Sequence, residues 1–362
     1  MKVKLEDITR YSKGSQINGS ELIDDGKYIY LNGGITPSGR WNSYNVDANT
    51  VTISEGGNSS GYVNFIAEPF WCGAHCYYLY EGPKNTKYLY YALKSQQERL
   101  FAIRSGACMP NIKKADLGKF EIEFESDQKK QNEIVAVLSK AESVIDKRKK
   151  EIERLDNLIK ARFVELFGDP VHSEKYGTRK LSSCIADKAD MVDGPFGSQV
   201  NTKVDYIKDG EIPVIRTINV KMMSFSSVDL KYMTREKYET VIRSQVLPGD
   251  VILTKVGTIG NVCIFPDLFK EAVLSTTGSC RIRVDNSIVN TKFFAYNLMY
   301  LKGKLLEIAS AGVQPFLNMN HVKNVDILDV PLAKQIEFVD FVNQVDKSKF
   351  DYMFTSYLSI SL

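Results

Sequence analysis

The second half of this 362-residue chain repeats the first. The opening Lys4-Leu5-Glu6-Asp7-Ile8 returns as Lys180-Leu181-Ser182-Ser183-Cys184-Ile185. A glycine-punctuated, strand-like stretch from Ile53 to Val63 has its counterpart in Leu253 to Val262. Lys87-Tyr88-Leu89-Tyr90-Tyr91-Ala92-Leu93 matches Lys292-Phe293-Phe294-Ala295-Tyr296-Asn297-Leu298, and a small-residue loop with a proline follows each, Ser105 to Pro110 and Ser310 to Pro315. Phe120-Glu121-Ile122 aligns with Val325-Asp326-Ile327, and Lys130-Gln131 through Val135 with Lys334-Gln335 through Val339, at offsets of 204 to 205. Five matches in one order restrict the chain to two copies of one supersecondary plan. Each copy alternates Val/Ile/Tyr/Phe/Thr-rich runs with Gly/Asn/Asp/Ser clusters, as strands and turns do, and closes with a helical stretch. That pattern is α+β.

Between the copies, Gln131 to Phe167 contains no Pro or Gly and is dominated by strong helix formers. Ile134, Leu138, Ala141, Ile145, Arg148, Ile152, Leu155, Ile159, Arg162 and Leu166 recur at alternating steps of four and three, the heptad spacing of a coiled-coil seam. Two arginines make the seam a soft one. About 37 residues at 1.5 Å each give a rod of roughly 55 Å, ended by Gly168-Asp169-Pro170. Such a rod needs a partner. One candidate is the second copy's helix, from about Ala333, with Ile336, Val339, Phe341, Val342, Val345, Phe350 and Met353; the other is the same helix of a second chain. The organisation expected is therefore a first unit over 1–127, a central helical spacer over 128–170, a second unit over 171–330 and a shorter helix over 331–362.

Composition narrows the function by exclusion. Net charge is +3, with 47 basic against 44 acidic residues, so bulk charge is only a weak sign of nucleic-acid binding. No run of about 18 apolar residues offers a membrane span, and Met1 to Asp7 lacks a secretory core. Cysteines at 72, 76, 108, 184, 263 and 280 follow no framework spacing, which fits a reducing cytoplasm. Cys72-Gly73-Ala74-His75-Cys76 is one metal-like knuckle without the second that structural zinc requires. Three histidines (75, 172 and 321) offer little for a nucleophilic triad, and neither a Walker run nor a clustered-carboxylate nuclease core is present. No catalytic or metal residue is assigned.

The two units around a long helix, the repeated Lys-Leu opening, the glycine hairpins Gly57 to Gly61 and Gly257 to Gly260, the Gln-x-x-Ile-style entry into each helix and the segment Arg162-Phe163-Val164-Glu165-Leu166-Phe167-Gly168-Asp169-Pro170 together resemble the specificity subunits of type I restriction-modification systems. The resemblance implies two similar target-recognition domains in tandem, separated and closed by helices that form an antiparallel coiled coil. It implies a non-catalytic, cytoplasmic subunit that reads a bipartite site on double-stranded DNA, one domain per half. The helical spacer would fix the unread base pairs between the halves and dock two methyltransferase subunits, with restriction subunits joining. S-adenosylmethionine, ATP and magnesium would belong to those partners and none to this chain. A two-headed protein-binding scaffold, and a specificity subunit of a restriction-methylation enzyme outside type I, are the alternatives.

Base discrimination needs bidentate donors and acceptors on loops that reach a groove. In the first unit the candidates are Arg40, Trp41, Asn42 and Tyr44 on a polar loop, and Gly57, Asn58 and Ser59, where flexible backbone suits close approach to phosphate. In the second they are Gly194, Phe196, Ser198 and Gln199; Arg216, Thr217 and Asn219 beyond an apolar run; Lys255 and Thr258 at the hairpin; and Gln314, Asn318 and Asn320 near the proline loop. Each of these segments reads equally as an ordinary solvated turn. Lys147-Arg148-Lys149-Lys150 on the rod reads as a solvated face or a phosphate contact.

Overall fold

The computed structural model describes all residues except 107–108, 311–314 and 361–362, and side chains along the last helix as far as Lys349. The chain forms two units, Met1–Lys147 and Arg148–Leu362, and the division falls inside the long helix.

In the first unit, β1 (Arg10–Lys13), β2 (Thr50–Ser54), β3 (Val63–Ile66) and β4 (Cys76–Tyr80) form an antiparallel sheet in the order β1-β4-β2-β3. Helix α1 (Thr86–Lys94) covers it, burying Leu89 and Leu93 with Leu5, Ile53, Val63 and Tyr77. Asn85 starts α1 by accepting the Tyr88 N–H at 2.9 Å, which satisfies one of the free donors of the first turn. A smaller sheet sets Tyr28–Leu31 between Gly39–Trp41 and, in parallel, Trp71–Cys72. The repeated Lys-Leu opening closes the unit: Lys2–Lys4 pairs with Glu121–Glu123, and the Leu5 N–H donates to the Phe120 carbonyl at 2.9 Å.

The second unit repeats this plan. After the long helix α2 (Gln128–Phe167), β5 (Met191–Asp193), β6 (Val251–Thr254), β7 (Val262–Ile264) and β8 (Ser279–Ile282) take the order β5-β8-β6-β7. Helix α3 (Thr291–Tyr300) is capped by Asn290 and packs Phe293, Phe294 and Leu298 into the core. Ile212–Ile215 lies between Lys231–Met233 and, in parallel, Ala272–Leu274; one further strand, Gln245–Val246, is added on the far side. Thr178–Lys180 pairs with Asp326–Leu328, and the Leu181 N–H donates to the Val325 carbonyl at 2.8 Å.

The helix entries are built alike. Gln131 and Gln335 are 3% and 2% exposed. Gln131 Nε2 donates to the Glu125 carbonyl at 2.6 Å, and Gln335 Nε2 to the Val330 carbonyl at 2.7 Å. Each amide ties the first turns of a long helix, α2 or α4 (Leu332–Ile360), to the short segment leading into it. About three turns later, a lysine of the shorter helix reaches a carboxylate of the longer one: Lys87 to Glu142 at 3.2 Å, Lys292 to Asp346 at 2.7 Å.

Forty residues make α2 about 60 Å long, and Gly168 ends it with φ +80°. In the second unit its final turns run antiparallel to α4, as Arg162–Glu337 at 3.0 Å and Asp156–Lys349 at 2.6 Å require. The expected seam holds at Ile152, Leu155 and Ile159, then departs. Ile159, Phe163 and Phe167 are the buried positions, four apart, whereas Arg162 and Leu166 lie at the flank. The helix end is seated on a globular core of Phe293 and Phe338, so it follows the 3.6-residue period of a straight helix instead of the 3.5 of a supercoil. Ile134, Leu138 and Ile145 are 38%, 39% and 48% exposed. In the second helix Phe338, Val339, Val342 and Val345 are buried while Ile336 faces out; the side chains of Phe350 and Met353 lie outside the described residues.

Candidate nucleic-acid interface

The sheets β1-β4-β2-β3 and β5-β8-β6-β7 each carry one glycine hairpin, between β2 and β3 and between β6 and β7. Gly57 and Gly61 have φ of +75° and +81°; Gly257 and Gly260 have +74° and +81°. Only a residue without Cβ adopts these angles at no steric cost, so the glycines fix the hairpin shape. At each root a hydroxyl closes the turn. Thr254 Oγ1 accepts the Asn261 N–H at 3.1 Å, and Ser54 Oγ lies 3.2 Å from Ser59 Oγ.

The proline loops dock on these hairpins. Ser105 and Asn111 exchange two backbone bonds of 2.8 Å, and the Ser310 N–H donates to the Phe316 carbonyl at 2.9 Å. Asn111 bridges on to Gly56, and Phe316 to Val256. The Ile112 N–H then donates to the Glu55 carbonyl, and the Leu317 N–H to the Lys255 carbonyl, each at 2.9 Å. In both units, the hairpin and the ends of the return loop are joined by backbone bonds into one edge.

In the first unit this edge gathers two of the expected segments. Ser59 Oγ donates to the Gly33 carbonyl at 2.7 Å, joining the loop that precedes Arg40 to Gly57, Asn58 and Ser59. Asn58 is exposed. Arg40 lies on the strand Gly39–Trp41, with Nη2 donating to the Lys27 carbonyl at 3.0 Å. Trp41 is half-buried in that strand, Asn42 accepts weakly from the Lys27 N–H at 3.4 Å, and Tyr44 packs on Tyr28 with ring centroids 5.0 Å apart. These four flank the hairpin on the smaller sheet.

In the second unit Arg216, Thr217, Val256, Gly257, Thr276 and Gly278 line one open groove of about 340 Å³. Arg216 is anchored: Nη2 donates to the Asp229 carboxylate at 2.8 Å, and the guanidinium beside it lowers the Asp229 pKa to about 2, with Lys231 adding to the effect. Asn219 is fully buried, its Nδ2 donating to the Ser226 and Val228 carbonyls and its Oδ1 accepting from the Arg216 N–H, so it shapes the turn under Arg216. Thr258 is exposed on the hairpin. Lys255 is 3% exposed and its ammonium is held by Asp193, which places it inside the unit and not at its surface. Phe196, Ser198 and Gln199 form an exposed turn, in which Gln199 Oε1 accepts the Phe196 N–H at 3.0 Å. Gly194 is buried beneath the Ser275 carbonyl. Asn318 caps the short helix Met319–Lys323, with Asn320 exposed in its first turn. Gln314 lies outside the described residues.

The cysteine-histidine knuckle does not converge. Cys72 and Cys76 are buried, the Cys72 thiol donating to the Cys76 carbonyl at 3.3 Å, while the His75 ring faces outward to Glu55 at 3.4 Å. Burial pushes the Cys263 and Cys280 thiols up to about 12, leaving them as small apolar side chains. Among the described residues no helix is long and apolar enough to cross a membrane.

Three residues at the hairpin roots are not among the sequence candidates: Lys13 at the end of β1, Gly14 just beyond it, and Glu55 at the start of the first hairpin. The signal was the dipeptide of an ionic residue and glycine, Lys13-Gly14 and Asp193-Gly194, at an offset of 180.

A two-unit protein with a repeated hairpin edge has known counterparts. The family model described as "Type I restriction modification DNA specificity domain" matches residues 1–156 and 196–355. The chain belongs to that family. Relatives of this specificity subunit include the "Putative type I specificity subunit S.MgeORF438P" of Mycoplasma genitalium, 28% identical over 92% of this chain and 82% of that protein. The "Putative type I specificity subunit S.MpnORF638P" of Mycoplasma pneumoniae is 31% identical over 64% of this chain and 56% of that protein. The "Type I restriction enzyme MjaIX specificity subunit" of Methanocaldococcus jannaschii is 24% identical over 68% and 59%. The specificity subunit thus spans little more than half the length of the latter two. Its fold is similar to the crystal structure of the type I restriction-modification S subunit from M. genitalium, with a TM-score of 0.60 at 21% identity, covering all of this chain and 92% of that one.

Proposed function

We propose that this specificity subunit reads a bipartite, asymmetric site on double-stranded DNA, one unit to each half, and performs no chemistry itself. One observation carries the reading: two units of the same topology each present a glycine hairpin locked to a proline-bearing return loop, and a long helix joins them. Backbone amides and hydroxyls at such an edge suit phosphate contacts, and the amide and cationic side chains beside it suit base edges. Asn58 with Arg40 in the first unit, and Thr258, Gln199 and Asn318 in the second, are the side chains offered for base contact. Arg216 lines the groove beside them, held by Asp229.

Two methyltransferase subunits dock on the helices, restriction subunits complete the complex, and S-adenosylmethionine, ATP and magnesium are bound by those partners. The complex works in the cytoplasm, and the length of α2 sets the number of base pairs left unread. The test is genome-wide mapping of methylated bases in cells with and without this chain. A split motif that vanishes with the chain is the expected result. Methylation unchanged by its loss, together with partner capture but no sequence-selective gel shift, would favour a protein-binding scaffold.

A further inference from the structure

The two units carry an ion pair at the same place with opposite polarity. Lys13 stands opposite Tyr77 and Asp193 opposite Cys280, while Ile53 and Leu253 stand opposite those same two residues on the other side. Lys13 and Asp193 are therefore equivalent. So are Glu55 and Lys255, each two residues further along the hairpin strand. The Glu55 N–H donates to the His75 carbonyl at 2.9 Å and the Lys255 N–H to the Gly278 carbonyl at 2.8 Å. Lys13 is hydrogen-bonded to Glu55 in one unit, and Lys255 is ion-paired with Asp193 in the other.

We infer that these pairs are positioning elements that aim each hairpin at its half-site, with polarity reversed so that each hairpin seats only on its own strand. The inference rests on the DNA-reading function proposed above. Glu55 and Lys255 expose 15% and 4% of their side chains, so each charge needs its partner nearby. The partner strand ends are packed tightly against neighbouring backbone. A Cβ on Gly14 would lie 1.8 Å from the Cys72 carbonyl oxygen, and one on Gly194 would lie 1.6 Å from that of Ser275. Each hairpin root is thus bonded to a strand end clamped by close backbone contact. The exposed residues Asn58 and Thr258 follow three residues later. Discrimination between bases needs placement within about 0.5 Å, so the bond at the root sets the aim at the tip. Exchange between units would bring Glu55 against Asp193 and Lys255 against Lys13, both repulsive.

The experiment uses the full chain with its methyltransferase partner and reads the methylated motif base by base. Asp193→Lys and Lys255→Asp are each expected to lower discrimination by about tenfold, the scale of one good base contact, in the half read by the second unit only. The double exchange D193K/K255D should restore it, and K13E, E55K and K13E/E55K should do the same for the other half. If a single reversal prevents assembly, Asp193→Asn removes the pairing charge more mildly and decides the same question. Weaker methylation over an unchanged motif, or a double exchange that restores nothing, would overturn the inference. Absence of any split motif with the unaltered chain would instead overturn the function beneath it.

Discussion

Arg216 shows how a single side chain is fixed in place beside a groove. Its guanidinium bonds Asp229 on one edge, and that pairing, with Lys231, holds the carboxylate at about 2. The folded value lies below the ordinary one of about 4, so the pair contributes in full above that pH and is lost as pH falls through about 2. A carbon-detected NMR titration of Asp229 should show its midpoint near the low value, and Arg216→Ala should move it upward. A midpoint near the ordinary value in the intact protein would mean that Arg216 is not anchored in solution. Buried amides give a second case. Removing Gln335 strands the Asn290 N–H and the Val330 carbonyl, both of which it satisfies. Gln335→Ala should cost about 1–3 kcal/mol in urea unfolding, with Gln131→Ala costing a similar amount in the first unit. The repeated Lys-Gln pair was legible in the sequence because identical residues recur. The ion pairs were not, because Lys13 matches Asp193 and Glu55 matches Lys255: complementarity survives a polarity reversal that erases residue similarity.

At the scale of elements, the hairpins were legible from glycine spacing, and their φ values give the reason. The equivalences drift, from 176 at Leu5 and Leu181 to 180 at Lys13 and Asp193, 200 at Glu55 and Lys255, and 204 to 205 from Lys87 onward. Added length between β5 and β6, including the strand Gln245–Val246, accounts for most of the change. An insertion of that kind hides the correspondence of early residues while leaving the later ones in plain register. The long helix was legible in extent, but its seam was read with a supercoil period to its end, where Phe163 and Phe167 turn into a globular core. Element-level grafting separates shape from seating. Replacing residues 53–62 with 253–261 alone brings Lys255 against Lys13, and the chimera should lose cooperative unfolding in the first unit or release the grafted hairpin to rapid amide exchange. Adding Lys13→Asp should restore protection. Equal protection in both chimeras would show that backbone pairing alone seats the hairpin.

Across the whole molecule, each unit closes its own core. The first is built from Leu5 to Phe124 with Val135 of α2 packed against it; the second draws on Ile159, Phe163 and Phe167 together with residues 181 to 345. The first part of α2 belongs to the first unit, since Tyr91 donates to Glu142 at 2.7 Å and Lys87 pairs with the same carboxylate. An exchange of recognition units is therefore cut correctly after Lys147 and not at the strand end near 127, where it would separate Glu142 from both partners. Replacing residues 1–147 by the matching segment of another family member leaves the core residues of the second unit unchanged. Such a chimera should assemble with the same methyltransferase and alter one half of the methylated motif while preserving the other half. A cut after residue 127 should give the same altered half with a lower yield of folded complex, because the donor's first unit would meet an unmatched helix face. Change in both halves would mean that the units do not read independently. Change in neither would place recognition outside the exchanged segment, and the hairpins would lose their assigned role.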